Sequence, residues 1–194
     1  MKIKPLITIC FVFTLSLLKS QEQIFYNNPS IGWSINLPKD FKNQSQKPIQ
    51  IVETKDNKTE VKKDTDRKLS EKPQEIRFEG KDNTYFFTSF EKYNSNKNYS
   101  EFIEKQNQDL IDGFKKAMPK AKFDKNLAQE NIDNIKFYKT TLKIDLGNNS
   151  YQNFIIYSAL INNFNSNFSI IYVNPTTASE EMIEAFKNSK FSKK

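Results

Sequence analysis

The stretch YKTTLKIDLGNNSYQNFIIYSALINNFNSNFSIIYV, residues 138–173, sets the architecture of this chain. Tyr138, Thr140, Leu142 and Ile144 alternate with Lys139, Thr141 and Lys143, the two-residue period of a strand with one buried face. Gly147-Asn148-Asn149 supplies turn chemistry, and YQNFIIYSALI then reads as a second strand. The Asn-rich residues 162–167 form a second connection, leading into FSIIYV as a third strand. Three such runs joined by short connections predict an antiparallel meander.

Upstream, Ile76 and Phe78 alternate with Glu75, Arg77 and Glu79, and TYFFTSFEKY at residues 84–93 follows a turn at residues 80–83. This is a predicted hairpin. In its second strand Phe86, Thr88 and Phe90 share one face and Tyr85, Phe87 and Ser89 the other. One face belongs to the core and a helix covers the other, with an exposed aromatic surface for a ligand as the alternative. That helix follows directly. Asn98 stands as its N-cap with Glu101 three residues on, and Ile103, Leu110, Phe114 and Met118 repeat at helical spacing until Pro119, with Phe102 and Ile111 widening the stripe. Gly113 costs it about 1 kcal/mol relative to alanine, which close packing would offset. Lys115, Lys116, Lys120, Lys122 and Lys125, opposed by Asp124, complement the negative end of the helix dipole.

At the ends of the chain, Trp33, Ile35 and Leu37 alternate between Gly32 and Pro38 as the strand where the fold begins. Thr177 with Glu180 makes a second capping box, for a short helix that turns Met182, Ile183 and Phe186 inward before Phe191. Residues 53–75 differ in texture: seven basic and seven acidic side chains share the stretch, with Val61 and Leu69 its only aliphatics between Lys55 and Pro73. They read as a solvated, poorly ordered loop or a charge-laced hairpin excursion, because they bury little and their charges cancel.

Residues 1–20 have the basic start, short apolar run and small last residue of a secretory signal peptide, with cleavage expected after Ser20. The apolar run from 6 to 18 is shorter than the ~20 residues a membrane-spanning helix needs, so no stable transmembrane anchor is expected. The sole cysteine, Cys10, lies inside the run and is badly placed for lipidation. Loss of Lys2, Lys4 and Lys19 with the leader lowers the formal net charge from +7 to +4. That is too modest for the basic footprint of a nucleic-acid binder, and no nucleic-acid partner is expected. Residues 21–194 are expected to form a single domain without disulfides.

The chain contains no histidine, and residues 21–194 no cysteine, so Ser-His-Asp and Cys-His devices and His-bearing zinc sites are excluded. Ser89 and Lys92 have a helical nucleophile-base spacing but fall on opposite faces of a strand. Asp64 and Asp66 open like a calcium loop, but Lys68 takes the next ligand place and the turn glycine is missing. The four glycines are scattered, so there is no phosphate-cradling loop. Carboxylates distant in the chain remain the catalytic pair the composition permits. No catalytic, cofactor-binding or metal-ligating residue is assigned, no cofactor is expected, and the binding residues are unknown.

Four features occur in order: the opening NNPSIGWSINLPKDF, the central helix YSEFIEKQNQDLIDGF after a strand, the meander ending in IIYV, and a closing helix with the tail FKNSKF. This arrangement resembles the Mog1/PsbP-like superfamily. The resemblance covers nearly all of residues 21–194, rests on order and texture rather than one motif, and carries over no binding residue. The charged residues 53–75 depart from the compact pattern. What it implies is an α+β fold, an α/β/α sandwich with a central, mainly antiparallel sheet flanked by helices, and a non-enzymatic role. The expected function is that of a secreted or periplasmic accessory protein acting on an unknown protein or cell-envelope component. The alternative is a small-molecule or lipid carrier with an apolar pocket between sheet and helix.

Overall fold

The meander forms, and it is one strand longer than expected. The structure is a computed structural model that describes residues 24–44, 52–55, 58–61, 74–96 and 98–192. In chain order the elements are β1 (Ile24–Asn28), β2 (Trp33–Leu37), β3 (Lys42–Asn43), β4 (Val52–Lys55), β5 (Lys58–Val61), β6 (Gln74–Glu79) and β7 (Tyr85–Lys92). There follow α1 (Tyr99–Ala117), β8 (Phe123–Ile132), β9 (Ile135–Gly147), β10 (Ser150–Ile161), β11 (Phe164–Val173), α2 (Thr177–Lys187) and β12 (Lys190–Phe191). A seven-stranded sheet in the order β3-β6-β7-β11-β10-β9-β8 is antiparallel throughout. A small sheet, β1-β2-β12, and α2 pack on one of its faces, and α1 lies on the other. The fold is therefore α+β, with the antiparallel sheet between helices.

Three hairpins of the meander turn on two residues each, Asp133-Asn134, Asn148-Asn149 and Asn162-Asn163, all with φ between 46° and 65°. Short Asx side chains tolerate this left-handed region, and two such residues in succession give the turn whose twist matches the strands it joins. The second connection is accordingly shorter than the Asn-rich stretch, because Asn165 and Asn167 are already ladder residues of β11. The strand the sequence did not reveal is β8, which is exposed along most of its length and so shows weak alternation. Likewise the fold begins before Trp33, since β1 pairs with β2 from Ile24↔Leu37 to Asn28↔Trp33.

The main core is aromatic. Trp33, Phe78, Phe86, Phe137, Tyr157, Phe168 and Phe186 are all at most 1% exposed. They come from the small sheet, the inner face of the large sheet and α2, so the three segments bury one another's apolar faces. The C-terminus closes the small sheet: Phe191 pairs with Trp33, and its N–H donates to Asp133 Oδ2 at 2.6 Å. Gly32 has φ +68°, and a Cβ there would lie 2.2 Å from the Ser192 carbonyl oxygen, so this crossing requires glycine.

Two helix details differ from expectation. The capping box of α2 is Thr176 with Ser179, not Thr177 with Glu180: Thr176 is in the extended region, its hydroxyl accepts from Ser179 N–H at 3.2 Å, and Ser179 Oγ accepts from Thr176 N–H at 2.9 Å. Glu180 stays in the first turn, where the dipole favours it. In α1, Asn98 does cap, accepting from Ser100 N–H at 3.0 Å, but a Cβ on Gly113 would meet nothing within 4 Å. Close packing therefore does not offset that glycine's cost. Of the charged residues 53–75, β4 and β5 pair as a separate two-stranded ladder in register Val52↔Val61; the calcium-like Asp64 and Asp66 lie outside the described residues.

Candidate functional site

On the α1 face of the sheet, β9 presents Tyr138, Thr140, Leu142 and Ile144, as its alternation predicts, and α1 answers with two unequal halves. The C-terminal half docks: Ile111 packs with Leu142 and Ile144, and the Phe114 and Phe154 rings lie 5.0 Å apart. At the N-terminal end Phe102 stands edge-on to Tyr93 at 5.2 Å, and Tyr99 makes the polar tie. The Tyr99 hydroxyl donates to Asn165 Oδ1 at 2.8 Å, Asn165 Nδ2 donates to Glu91 Oε1 at 2.7 Å, and the Tyr99 ring stands edge-on to Tyr138 at 5.9 Å. Burial pushes the Tyr99 phenol well above its ordinary value, and Tyr138, Tyr93 and Glu91 add to the effect, so the hydroxyl keeps its proton and remains a donor.

Between these ties, on the β8 side, α1 leaves a recess of about 400 Å³. Its floor is the β8–β9 ladder, where register sets Leu127 beside Thr140 and Gln129 beside Tyr138. Its wall is the α1 flank carrying Ser100, Ile103, Glu104 and Asn107. Ala128 and Lys139, whose side chains alternate to the opposite face, also border the recess. Lys139 spends its charge there, 3.0 Å from Glu130 and 5.3 Å above the Tyr157 ring. Asn107 and Thr140 are buried over most of their surface, but their polar atoms are not among the fully buried unpartnered ones, so the amide and the hydroxyl reach the solvent of the recess. The recess thus offers donors and acceptors at rest, with no nucleophile hydrogen-bonded to a base.

The other sequence-marked surfaces fall elsewhere. Tyr85, Phe87 and Ser89 lie on the α1 face and are half-buried; the group shown over the Tyr85 and Phe87 rings is the Arg77 guanidinium, at 5.0 Å and 5.2 Å. The lysine-rich end of α1 borders a second, open depression beside Met118 and Leu146. Ser89 and Lys92 do point to opposite faces of β7. Sequence reasoning missed Gln129, Leu127, Asn107 and the exposed side of Thr140. The Asp133-Asn134 turn between Ile132 and Ile135 was the available signal for β8, and Asn107, between Ile103 and Ile111 in the buried stripe, was the one for the recess. Among the described residues no three acidic side chains come together as a metal site, and no helix is long and apolar enough to cross a membrane.

No family model matches this sequence. No curated protein matches it either. Among solved structures it is similar to the solution structure of cyanobacterial PsbP (CyanoP) from Synechocystis sp. PCC 6803, with a TM-score of 0.60 over 93% of this chain and 99% of that one at 8% sequence identity. The fold is PsbP-like, as the order of elements in the sequence implied. At that identity the likeness is one of fold alone.

Proposed function

We propose that the chain is an exported accessory protein without enzymatic activity. Residues 1–20 direct it out of the cytoplasm and are removed after Ser20, and residues 21–194 act as one domain by contact with a protein or cell-envelope component. The observation that carries this reading is the recess beside α1: it presents unpaired amide and hydroxyl groups around Asn107 and Thr140, a set suited to holding a partner rather than transforming one. The PsbP-like fold is compatible with this role. The carrier alternative places an apolar pocket between sheet and helix; the recess at that place is mixed, with Ile103, Leu127 and the Tyr138 ring beside Ser100, Glu104, Asn107, Gln129 and Thr140.

The test has two arms. Fractionation with N-terminal sequencing of the native protein is expected to find it outside the cytoplasm beginning at Gln21; a full-length chain in the cytosol overturns export. Crosslinking in the intact envelope is expected to give a reproducible, specific adduct that an Asn107→Leu variant weakens. Turnover of a substrate, abolished by replacing a pair of carboxylates, overturns the non-enzymatic reading.

A further inference from the structure

We propose that the lysine-rich corner where α1 ends, β8 begins and β9 turns into β10 docks on a surface of anionic phospholipid, an assignment that rests on the reading of this protein as an exported contact protein and names one envelope component it meets. The starting point is the distribution of charge. Of the 30 basic side chains, Lys2, Lys4 and Lys19 belong to residues 1–20, so residues 21–194 carry 27 against 23 acidic ones. Residues 115–125 alone hold five lysines against Asp124. The whole positive excess of residues 21–194 therefore sits in this one short segment, and the basic and acidic groups of the remainder balance.

Helix capping accounts for only part of the segment. Lys115 and Lys116 lie in the last turn of α1, where cations complement the dipole, but that effect fades within a turn. Lys120, Lys122 and Lys125 lie beyond the helix, on the connection and on β8, and all are exposed. None of the five ammonium groups has an ion pair or hydrogen bond among the described residues, whereas Lys81, Lys105, Lys139, Lys187 and Lys190 each stand against a carboxylate. The segment is also held in place. The Ala121 N–H donates to the Met118 carbonyl at 3.1 Å, and the Asp145 N–H to the Lys122 carbonyl at 3.0 Å, which ties it to the end of β9.

The apolar groups set among these lysines select the partner. A depression of about 550 Å³ is lined by Met118, Pro119, Ala121 and Leu146 together with Lys120 and Lys122. Leu146 is 50% exposed at the start of the β9–β10 turn, which Asp145 fixes by accepting from the Gly147 N–H at 2.8 Å. Asp145 is the carboxylate of the lining, and that bond engages it within the turn. A soluble acidic polymer would satisfy the lysines and leave Leu146 in water. A phospholipid surface meets both needs: phosphates lie at the level of the ammonium groups, and the acyl boundary beneath them receives leucine and methionine. Lysine stems cross such an interface while their charged ends stay with the headgroups. With charge balanced elsewhere, the field of the molecule turns this corner toward a negative surface.

The experiment is co-sedimentation of the protein in its natural processed form with vesicles of phosphatidylcholine alone and of equal parts phosphatidylcholine and phosphatidylglycerol. The expected result is saturable binding to the anionic vesicles that weakens as salt is raised, and none to phosphatidylcholine alone. Each lysine at an anionic surface is worth about fivefold in affinity, so Lys120→Gln with Lys122→Gln should weaken binding by about 25-fold. Lys81→Gln with Lys190→Gln removes the same charge from exposed positions elsewhere and should leave binding nearly unchanged. All four side chains are exposed, so neither double variant puts the fold at stake, and unchanged melting temperatures check this. Leu146→Trp reports on insertion, because Trp33 is buried and gives a constant background: its emission should shift to the blue with anionic vesicles and not with soluble polyglutamate. Absence of binding to the anionic vesicles, equal binding to phosphatidylcholine alone, or equal losses in the two double variants overturns the assignment. So does a Leu146→Trp emission that ignores vesicles or responds equally to polyglutamate, which would give the corner to an acidic polymer. Each of these failures leaves the exported accessory reading to its own arms, because location, N-terminus and envelope crosslinking are measured without vesicles.

Discussion

Replacing Phe186 with alanine should remove a large share of the stability of this protein. The Phe186 ring is fully buried and sits against Tyr157 at 4.7 Å, Phe168 at 4.9 Å, Phe137 at 5.7 Å and Phe86 at 6.0 Å, so it is where α2 meets the large sheet. Deleting a buried phenylalanine ring costs about 3–5 kcal/mol, the sum of lost transfer energy and the cavity left behind. Four aromatic neighbours that cannot all relax into the space place Phe186→Ala at the upper end, about 4–5 kcal/mol. At about 2–4 °C per kcal/mol for a domain of this size, the melting temperature falls by about 10–15 °C. Phe114→Ala is the matched comparison, because that ring is half-buried with one ring partner, Phe154 at 5.0 Å, and its loss should cost about 1–2 kcal/mol. Urea unfolding of both variants, followed by tryptophan fluorescence from Trp33, gives the two values directly. Equal costs, or less than about 2 kcal/mol for Phe186→Ala, would show that the aromatic cluster between sheet and α2 is not the principal core.

Gly113→Ala should stabilise by about 1 kcal/mol, since the new methyl group meets open space in the body of a helix; thermal unfolding that shows no gain would place a constraint on Gly113 that its surroundings lack. Asn163→Ala should cost about 1 kcal/mol, because alanine is strained at φ 65°, whereas Asn163→Gly should be nearly neutral; equal losses in a denaturant series would point to the side chain instead. Alkaline conditions should unfold the protein through its tyrosines: burial raises the phenols of Tyr26, Tyr99, Tyr157 and Tyr172 above the ordinary value of 10.0. Above pH ~10 the unfolded chain has then lost protons that the folded chain retains, so stability is complete below that pH and declines as pH rises. Tyr157, fully buried, contributes a slope of about 1.4 kcal/mol per pH unit, and Tyr157→Phe should remove it. The same variant should be unchanged or stabilised at neutral pH, because the Tyr157 hydroxyl has no hydrogen-bond partner among the described residues; stability curves that coincide above pH 10 would contradict the linkage.

What the sequence made legible follows from where burial imposes a period. In β9, β7 and β2 one face is core and the other is polar or half-exposed, so alternation is strong and the strands were evident. In α1 and α2 the inward stripe ran at helical spacing, and Met182 and Phe186 were read correctly as core. The period fails where an element is exposed on both faces, as β8 is, or is recognised mainly through its partner, as β1 is. Capping differed by one residue, with Ser179 taking the place assigned to Glu180, because Ser, Thr and Glu in succession offer two overlapping boxes and only the backbone at Thr176 selects between them. The candidate site was the least legible part. It depends on a ladder register, Leu127↔Thr140 and Gln129↔Tyr138, that joins side chains from a strand the pattern did not reveal.

The two faces of the large sheet are not equivalent, and that asymmetry has a functional consequence. On one side α2 and the small sheet fill the space with rings, leaving nothing for a ligand to displace. On the other, α1 is held at its C-terminal half by Ile111 and Phe114 and at its start by the Tyr99 hydroxyl, while the turn around Asn107 faces the exposed edge strand β8. A sheet edge this long is ordinarily blunted by charge, and β8 does carry Asp124, Lys125 and Glu130. Leu127, at 47% exposure, is the departure from that pattern, and it lies directly beside Asn107 and Thr140 in the recess. The exposed Leu127 side chain, the Asn107 amide and the Thr140 hydroxyl all open onto the recess. Their meeting at one place is what a site completed by a bound partner would look like, and so the α1 face, rather than the better-packed core, is where binding experiments should be aimed.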